Sequence, residues 1–418
     1  MKWIALAIVM LAWYPAGVLA RSRPAMQRAL AILVGFLPFH AVDLNIISYE
    51  AYRGDTRGLE LSLVDFVALA LIVATPSGAG AAPFRASRIL YLVAALTSVA
   101  LAPIPLFASF AAWKLARCYL LFICVYRASR QLRADPWFIS GLSLGLVYAT
   151  GLCLWQRYGL GMMQAPGPFP HQNGLAMAAN MICPAVLAVS LAGQGGRAAI
   201  ATVGAAAVSV VLTLSRGGMM MFILAAAIVF VGSTARRATP RKVRYLGAAV
   251  LVAGALLTKS WDTIADRFLH AAKSSEEARE YFEEASQAML HDHPFGIGMN
   301  QYSHVLSSVG YGERVGMDIH DQSGIVHNIY WLTVAEMGYH GLLALALLLA
   351  HPLYVALRSA ARDRTLSGDV LLGIAASLTV TYIQGKLEWS LRMTTISQIL
   401  FILFGLVAAL GIRRSRSS

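Results

Sequence analysis

His327 stands at the end of the only long polar segment in the chain, where the sequence passes directly into the apolar run that begins Ile329-Tyr330-Trp331-Leu332. An imidazole at such a boundary has two readings. It anchors a helix end where water meets lipid, or it accepts a proton, because the positive N-terminal end of the following helix favours the neutral ring. Counted at about 100° per residue, Gly338 and Gly341 return to within roughly 40° of the histidine's face. That spacing predicts a small-residue seam against which a neighbouring helix packs and holds this helix end still.

Four further groups of residues carry charge or hydrogen-bonding capacity in unusual places. Ser215-Arg216-Gly217-Gly218 joins two apolar runs with almost no loop, so Arg216 either snorkels at a helix end or clamps an anion with its planar, permanently charged fork. Arg279, the only Lys or Arg between Lys273 and Arg314, falls in the second turn of an expected helix. Lys114 and Arg117 interrupt an apolar run three residues apart and so share one helix face. They either draw an anionic headgroup inward or satisfy an internal carboxylate such as Glu336. His171 and Asn173, in the turn-rich stretch from Pro166 to Gly174, either hydrogen-bond a sugar or cap the next span.

His291 and His293 with Asp292, and His320 with Asp321, raise the question of a metal. They show neither a His-x-x-x-His spacing nor paired cysteines, and no metal is expected. Cys118, Cys124, Cys153 and Cys183 all lie in apolar runs and read as packing residues.

The elements that must position these groups are membrane helices. The 418 residues are 58% hydrophobic and only 13% charged, and apolar runs of about 17–25 residues recur along the chain. The fold class is therefore an all-α polytopic integral membrane protein with about 12 (12–13) transmembrane helices and one large outer loop that itself contains helices. The net charge of +13 gathers in short loops in the alternating manner of the positive-inside rule; it is a topology signal, and nucleic acid is excluded as a partner. Expected spans cover 3–20, 29–47, 60–76, 86–103, 110–127, 137–158, 173–193, 198–214, 217–233 and 244–259, then 327–350, 369–387 and 394–411. The first, interrupted by Pro15, reads as an uncleaved span with its N-terminus outside.

Three parts follow from this pattern: a helical bundle over 1–259, a helical loop domain acting as a lid over 260–326, and C-terminal spans over 327–418. Within the loop, Ser274-Ser275-Glu276-Glu277 forms a capping-box pattern. The helix it opens is expected to run to about Leu290, with Tyr281, Phe282, Ala285 and Met289 as its apolar stripe, and to be stopped at Pro294. Counting back from a basic C-terminus held inside, the 214–218 turn, the 260–326 loop and the turn around Lys386, Glu388 and Arg392 share the outer side.

Taken together, three stretches resemble the O-antigen ligase and polymerase superfamily of bacterial glycosyltransferases. They are Ser215-Arg216-Gly217-Gly218, Arg279 followed by His293-Pro294-Phe295-Gly296-Ile297-Gly298-Met299-Asn300, and His327-Asn328 followed after nine residues by Gly338 and then by Gly341. The likeness spans at least residues 173–350. It implies transfer of a glycan from undecaprenyl pyrophosphate to an acceptor hydroxyl on the periplasmic side of the bacterial inner membrane. His327 is then the general base, and Arg216 and Arg279 hold the pyrophosphate. Asn328, Lys114, Arg117, His171, Asn173 and Asn300 are further candidates for binding the pyrophosphate or glycan.

No cofactor is implied, and the partners are the lipid-linked polysaccharide donor, a lipid A–core acceptor and the bilayer. Polymerases of the superfamily use a second lipid-linked repeat as acceptor, and protein O-oligosaccharyltransferases use a serine or threonine. The chain ends soon after its last span, which disfavours the protein acceptor. The alternative outside catalysis is a lipid-linked glycan carrier or flippase, in which the arginines bind pyrophosphate and nothing is cleaved.

Overall fold

Among the residues described by the computed structural model, which are 2–40, 43–244, 247, 254 and 273–412, eight helices are long and apolar enough to cross a bilayer. They are Pro105–Gln131, Asp135–Gly159, Gln172–Leu191, Gly196–Thr213, Arg216–Arg236, Ile329–Arg362, Leu366–Gln384 and Thr394–Gly411. Shorter apolar helices cover Leu6–Ala20, Pro24–Phe39 and Leu63–Ala74, and a 17-residue helix covers Arg85–Leu101. The chain is a multi-pass α-helical membrane protein. Apart from Arg244, Gly247 and Gly254, the expected 244–259 span lies outside the described residues.

By its contacts the chain divides into two units. One comprises Met1–Leu142, Glu276–Tyr354 and Gly385–Ser418; the other comprises Ser143–Ser275 and Val355–Gln384.

The expected 29–47 and 60–76 spans need correction. The helix from Pro24 ends at Phe36, a short 3-10 turn follows, and Asp43–Ser48 is a β-strand paired antiparallel with Gly58–Ser62. Apolar residues alone suggested continuous helix, but polar Asp43 and Asn45 alternate with apolar residues, a period-two pattern that a short strand satisfies. Ser62 and Asp65 form a reciprocal capping box that begins the Leu63–Ala74 helix just after the strand.

In the second large correction, the helix that begins at Ile329 does not run regularly through Gly338. There φ is 64° and ψ is −173°, a conformation essentially confined to glycine. The seam expected from regular helical spacing is therefore a break. A break frees carbonyls that a regular helix would use internally, and the Pro294–Gly298 loop takes them up: Ile297 N–H donates to the Ala335 carbonyl at 3.0 Å and Gly298 N–H to the Glu336 carbonyl at 2.9 Å. The Ser98 hydroxyl also donates to the Glu336 carbonyl, at 3.2 Å. Close approach fixes the glycines: a Cβ on Gly338 would stand 2.5 Å from the Pro294 carbonyl oxygen, and one on Gly296 would stand 2.4 Å from that of Glu336.

The Lys273–Asp292 helix matches the expected loop helix. Phe282, Ala285 and Met289 are buried, whereas Tyr281 is exposed. The capping-box side chains lie outside the described residues. All four cysteines are buried and unpaired.

Gly338→Ala is expected to lower stability by at least about 1–3 kcal/mol from backbone strain alone, because the added methyl also displaces the Pro294–Gly298 loop. The thermal unfolding midpoint in detergent checks this, and a wild-type midpoint would count against the break.

Candidate active site

Asn328 sets the position of the central histidine. Its Oδ1 accepts from the backbone N–H groups of Tyr330 at 3.1 Å and Trp331 at 3.3 Å, the pattern of an N-cap. His327 therefore precedes the cap, and the helix begins at Ile329, two positions after the expected start of the span at 327. The Asn328 amide also donates to Glu283 Oε1 at 3.1 Å, which ties the helix start to the Lys273–Asp292 helix. Arg279 lies one turn before Glu283 on the same face of that helix.

A residue to which the sequence reading assigned no role completes this arrangement. Glu388, whose side chain is 8% exposed, presents Oε2 to His327 Nδ1 at 3.6 Å and Oε1 to Arg279 Nη2 at 3.9 Å. His327 Nδ1 is buried and makes no hydrogen bond at that separation, while the imidazole as a whole is about a third exposed. The ring thus turns Nδ1 inward to a carboxylate. Ile329 N–H donates to the Gly385 carbonyl at 2.9 Å, which joins the start of the histidine's helix to the turn carrying Glu388. The available signal was that turn itself, where Lys386, Glu388 and Arg392 cluster between two apolar spans.

The turn is held by buried charge. Arg392 ion-pairs with Glu336 and donates through Nε to Asp55 Oδ2 at 2.9 Å. Lys114 Nζ donates to Thr56 Oγ1 and to the Arg392 carbonyl, both at 2.7 Å, and pairs with Asp55 at 3.3 Å. Burial on its own would raise the Asp55 carboxyl, but the Lys114 and Arg392 charges outweigh it and hold it down at about 2. Arg117 donates from Nε to Asp65 at 2.7 Å, lies 3.5 Å from Glu60, and also bonds Ser62. Both cations are thus engaged by carboxylates within the protein, Lys114 by Asp55 and Arg117 by Asp65 and Glu60; Glu336 pairs with Arg392 instead.

Asn300 is likewise engaged internally. It is 1% exposed and sits in the left-handed region at φ 62°. Its amide donates to the carbonyls of Thr56 at 2.7 Å and Phe107 at 2.8 Å, and its Oδ1 accepts from Thr56 N–H at 3.1 Å. These contacts pin the 49–57 loop.

In the other unit, Arg216 is the first residue of the Arg216–Arg236 helix, and the Ser215 hydroxyl caps that helix by accepting from Gly218 N–H at 3.2 Å. Asn180 donates to the Gly218 carbonyl at 3.1 Å, and a Cβ on Gly218 would stand 2.5 Å from that of Ala176. The helix start is therefore fixed closely against the Gln172–Leu191 helix. Leu214 takes a left-handed conformation at φ 50° so that the preceding helix can turn within two residues. The half-buried Arg216 guanidinium has no hydrogen-bond or ion-pair partner among the described residues. His171 is the N-cap of the Gln172–Leu191 helix and accepts from Asn173 N–H at 3.3 Å, which is the capping arrangement anticipated from the turn-rich sequence.

Residues 201–346 match a family model described as O-antigen ligase. That range contains Arg216, Arg279, the loop from His293 to Asn300, His327 and Gly338, and the match supports membership of the O-antigen ligase and polymerase superfamily. No curated protein matches the chain.

Asn300→Ala is expected to orphan the Thr56 N–H and two carbonyls, at about 1–3 kcal/mol for each group left dry, while leaving donor KM unchanged for the folded fraction. Unfolding midpoints and steady-state kinetics on the same preparation separate the two; a KM effect without loss of stability would contradict the structural role.

Proposed function

We propose that this chain is an O-antigen ligase that transfers a polysaccharide from undecaprenyl pyrophosphate to a hydroxyl of a lipid A–core oligosaccharide, on the periplasmic side of the bacterial inner membrane. The observation that carries the reading is a partly exposed imidazole whose inner nitrogen faces a buried carboxylate, with a guanidinium on that carboxylate's other oxygen. The family match over the segment holding His327 and Arg279 supports it.

The chemistry needs two things. A sugar linked through pyrophosphate carries its own leaving group, so negative charge must be stabilised as the anomeric C–O bond breaks, and the incoming hydroxyl must lose its proton. We assign the first task to Arg279 and, on its own chemistry as an unpartnered fork at a helix start, to Arg216. His327 takes the proton through Nε2, a general-base contribution of about 10²–10⁴-fold. The acceptor oxygen bonds to the anomeric carbon as the pyrophosphate departs with the bonding pair, so configuration inverts. Neither step calls for a metal ion.

Purified His327→Ala, Arg216→Ala and Arg279→Ala are each expected to lose glycan transfer by at least about 10²-fold, while chelator leaves the wild type active. Wild-type rates in the variants, or loss of wild-type activity on chelation, would refute the assignment. Release of free undecaprenyl pyrophosphate only when both donor and acceptor are present separates a transferase from a carrier. Sizing the product made with lipid A–core against that made with a second lipid-linked repeat separates ligase from polymerase.

A further inference from the structure

The inner side of His327 calls for an explanation that the base role alone does not give. A neutral imidazole holds one proton and one lone pair, and only the tautomer with the lone pair on the outward nitrogen can accept a proton from an acceptor hydroxyl. Whatever faces Nδ1 therefore decides whether the base works. Here the facing group is Glu388 Oε2 at 3.6 Å, on a side chain 8% exposed, and Nδ1 is itself buried without a hydrogen bond.

We infer that Glu388 is a positioning residue for the transfer: its carboxylate accepts the Nδ1 proton of His327, which leaves Nε2 as the proton acceptor, and its second oxygen docks Arg279. The inference rests on the base reading of His327 given above. An ionised carboxylate only accepts hydrogen bonds, so the ring must present N–H to it. The 3.6 Å separation is that of a contact which tightens when substrate fills the site, as active-site hydrogen bonds commonly do. When the base takes the substrate proton and becomes imidazolium, the same carboxylate stabilises the new charge.

Arg279 gives the carboxylate a second function. It approaches Oε1 at 3.9 Å from the Lys273–Asp292 helix, so one side chain couples the base to a cation assigned to the leaving group. Arg392, four residues on, is 5% exposed and locked to Asp55 and Glu336. The Gly385 carbonyl accepts from Ile329 N–H at the start of the histidine's own helix. The turn is thus fixed on both sides of Glu388, which is what a side chain that orients another requires.

Glu388→Gln makes a sharp test because Arg279 can only donate. The amide must turn its oxygen to Arg279 and its NH2 to His327, which makes Nδ1 the acceptor and puts the ring proton on Nε2. The expected result is a fall in kcat of about 10²-fold, donor KM within about 3-fold of wild type, and partial recovery of kcat in Glu388→Asp.

The readout that a merely structural role would not move is the ring itself. In protein labelled with 15N-histidine, the His327 resonances, identified among the ten histidines by their loss in His327→Gln, should show Nδ1–H in the wild type and Nε2–H in Glu388→Gln. An Nε2–H wild type overturns the inference even if no Glu388 variant folds. So does a Glu388→Gln enzyme whose kcat is within about 3-fold of wild type, or one whose His327 signals do not move. If His327→Ala itself turns over normally, the base reading fails. If His327→Ala is inactive and Glu388→Gln is not, only the role of Glu388 fails.

Discussion

Four charges shut away from solvent hold the unit that carries the candidate site in register. Arg392 reaches Glu336 on the histidine's helix and Asp55 in the loop between the two strands, and Lys114 from the Pro105–Gln131 helix closes the set through Asp55 and the Arg392 carbonyl. Two carboxylates and two cations balance, so no net charge is stranded in an apolar bundle. That balance is the condition on which buried ions are tolerable, since removing one partner typically costs about 3–5 kcal/mol. The set is directional as well as neutral: it fixes a short turn against two transmembrane segments and the hairpin loop, and Glu388 is on that turn. The imidazole's surroundings are thus decided by groups that never face it.

The break at Gly338 performs the matching task for the other side of the site. By leaving the helix path, the backbone at Gly338 leaves the Ala335 and Glu336 carbonyls for the loop after Pro294, and that loop follows directly on the helix bearing Arg279. One glycine conformation therefore joins the polar segment to the membrane helix with backbone hydrogen bonds, which are less tolerant of displacement than a side-chain contact. Glu336 serves both devices: its carbonyl receives the loop, and its carboxylate holds Arg392 and accepts from Tyr302 N–H at 3.2 Å.

Much of this was legible in the residues. Long apolar runs located nearly every described helix, because hydropathy over some twenty residues is a strong signal with one physical origin. His327 and Arg279 were picked out by type and position, and both meet Glu388. What the sequence hid was non-local or conformational. The hairpin at 43–62 carries too few residues for its alternation to outweigh the flanking apolar runs. The glycine spacing after His327 was read with helical geometry that its own φ and ψ interrupt. Lys114, Arg117 and Asn300 have the chemistry of ligand groups, and only the partners at Asp55, Asp65 and Thr56, some 50 to 240 positions away, show that they are occupied. Glu388 escaped for the converse reason: a lone glutamate in a turn gains meaning only when the histidine 61 residues earlier is seen to face it.

The most direct measurement of the central claim, that a charge-anchored turn prepares His327 as a base beside a diphosphate, is a structure of the protein with a pyrophosphate-linked sugar bound. The account predicts phosphate oxygens against Arg279, His327 Nε2 facing the anomeric carbon's open side, and the Nδ1 to Glu388 separation closed to within about 3.2 Å, with Arg392 still on Asp55 and Glu336. A diphosphate seated away from Arg279, or an imidazole turned so that Nε2 points into the protein, would contradict it.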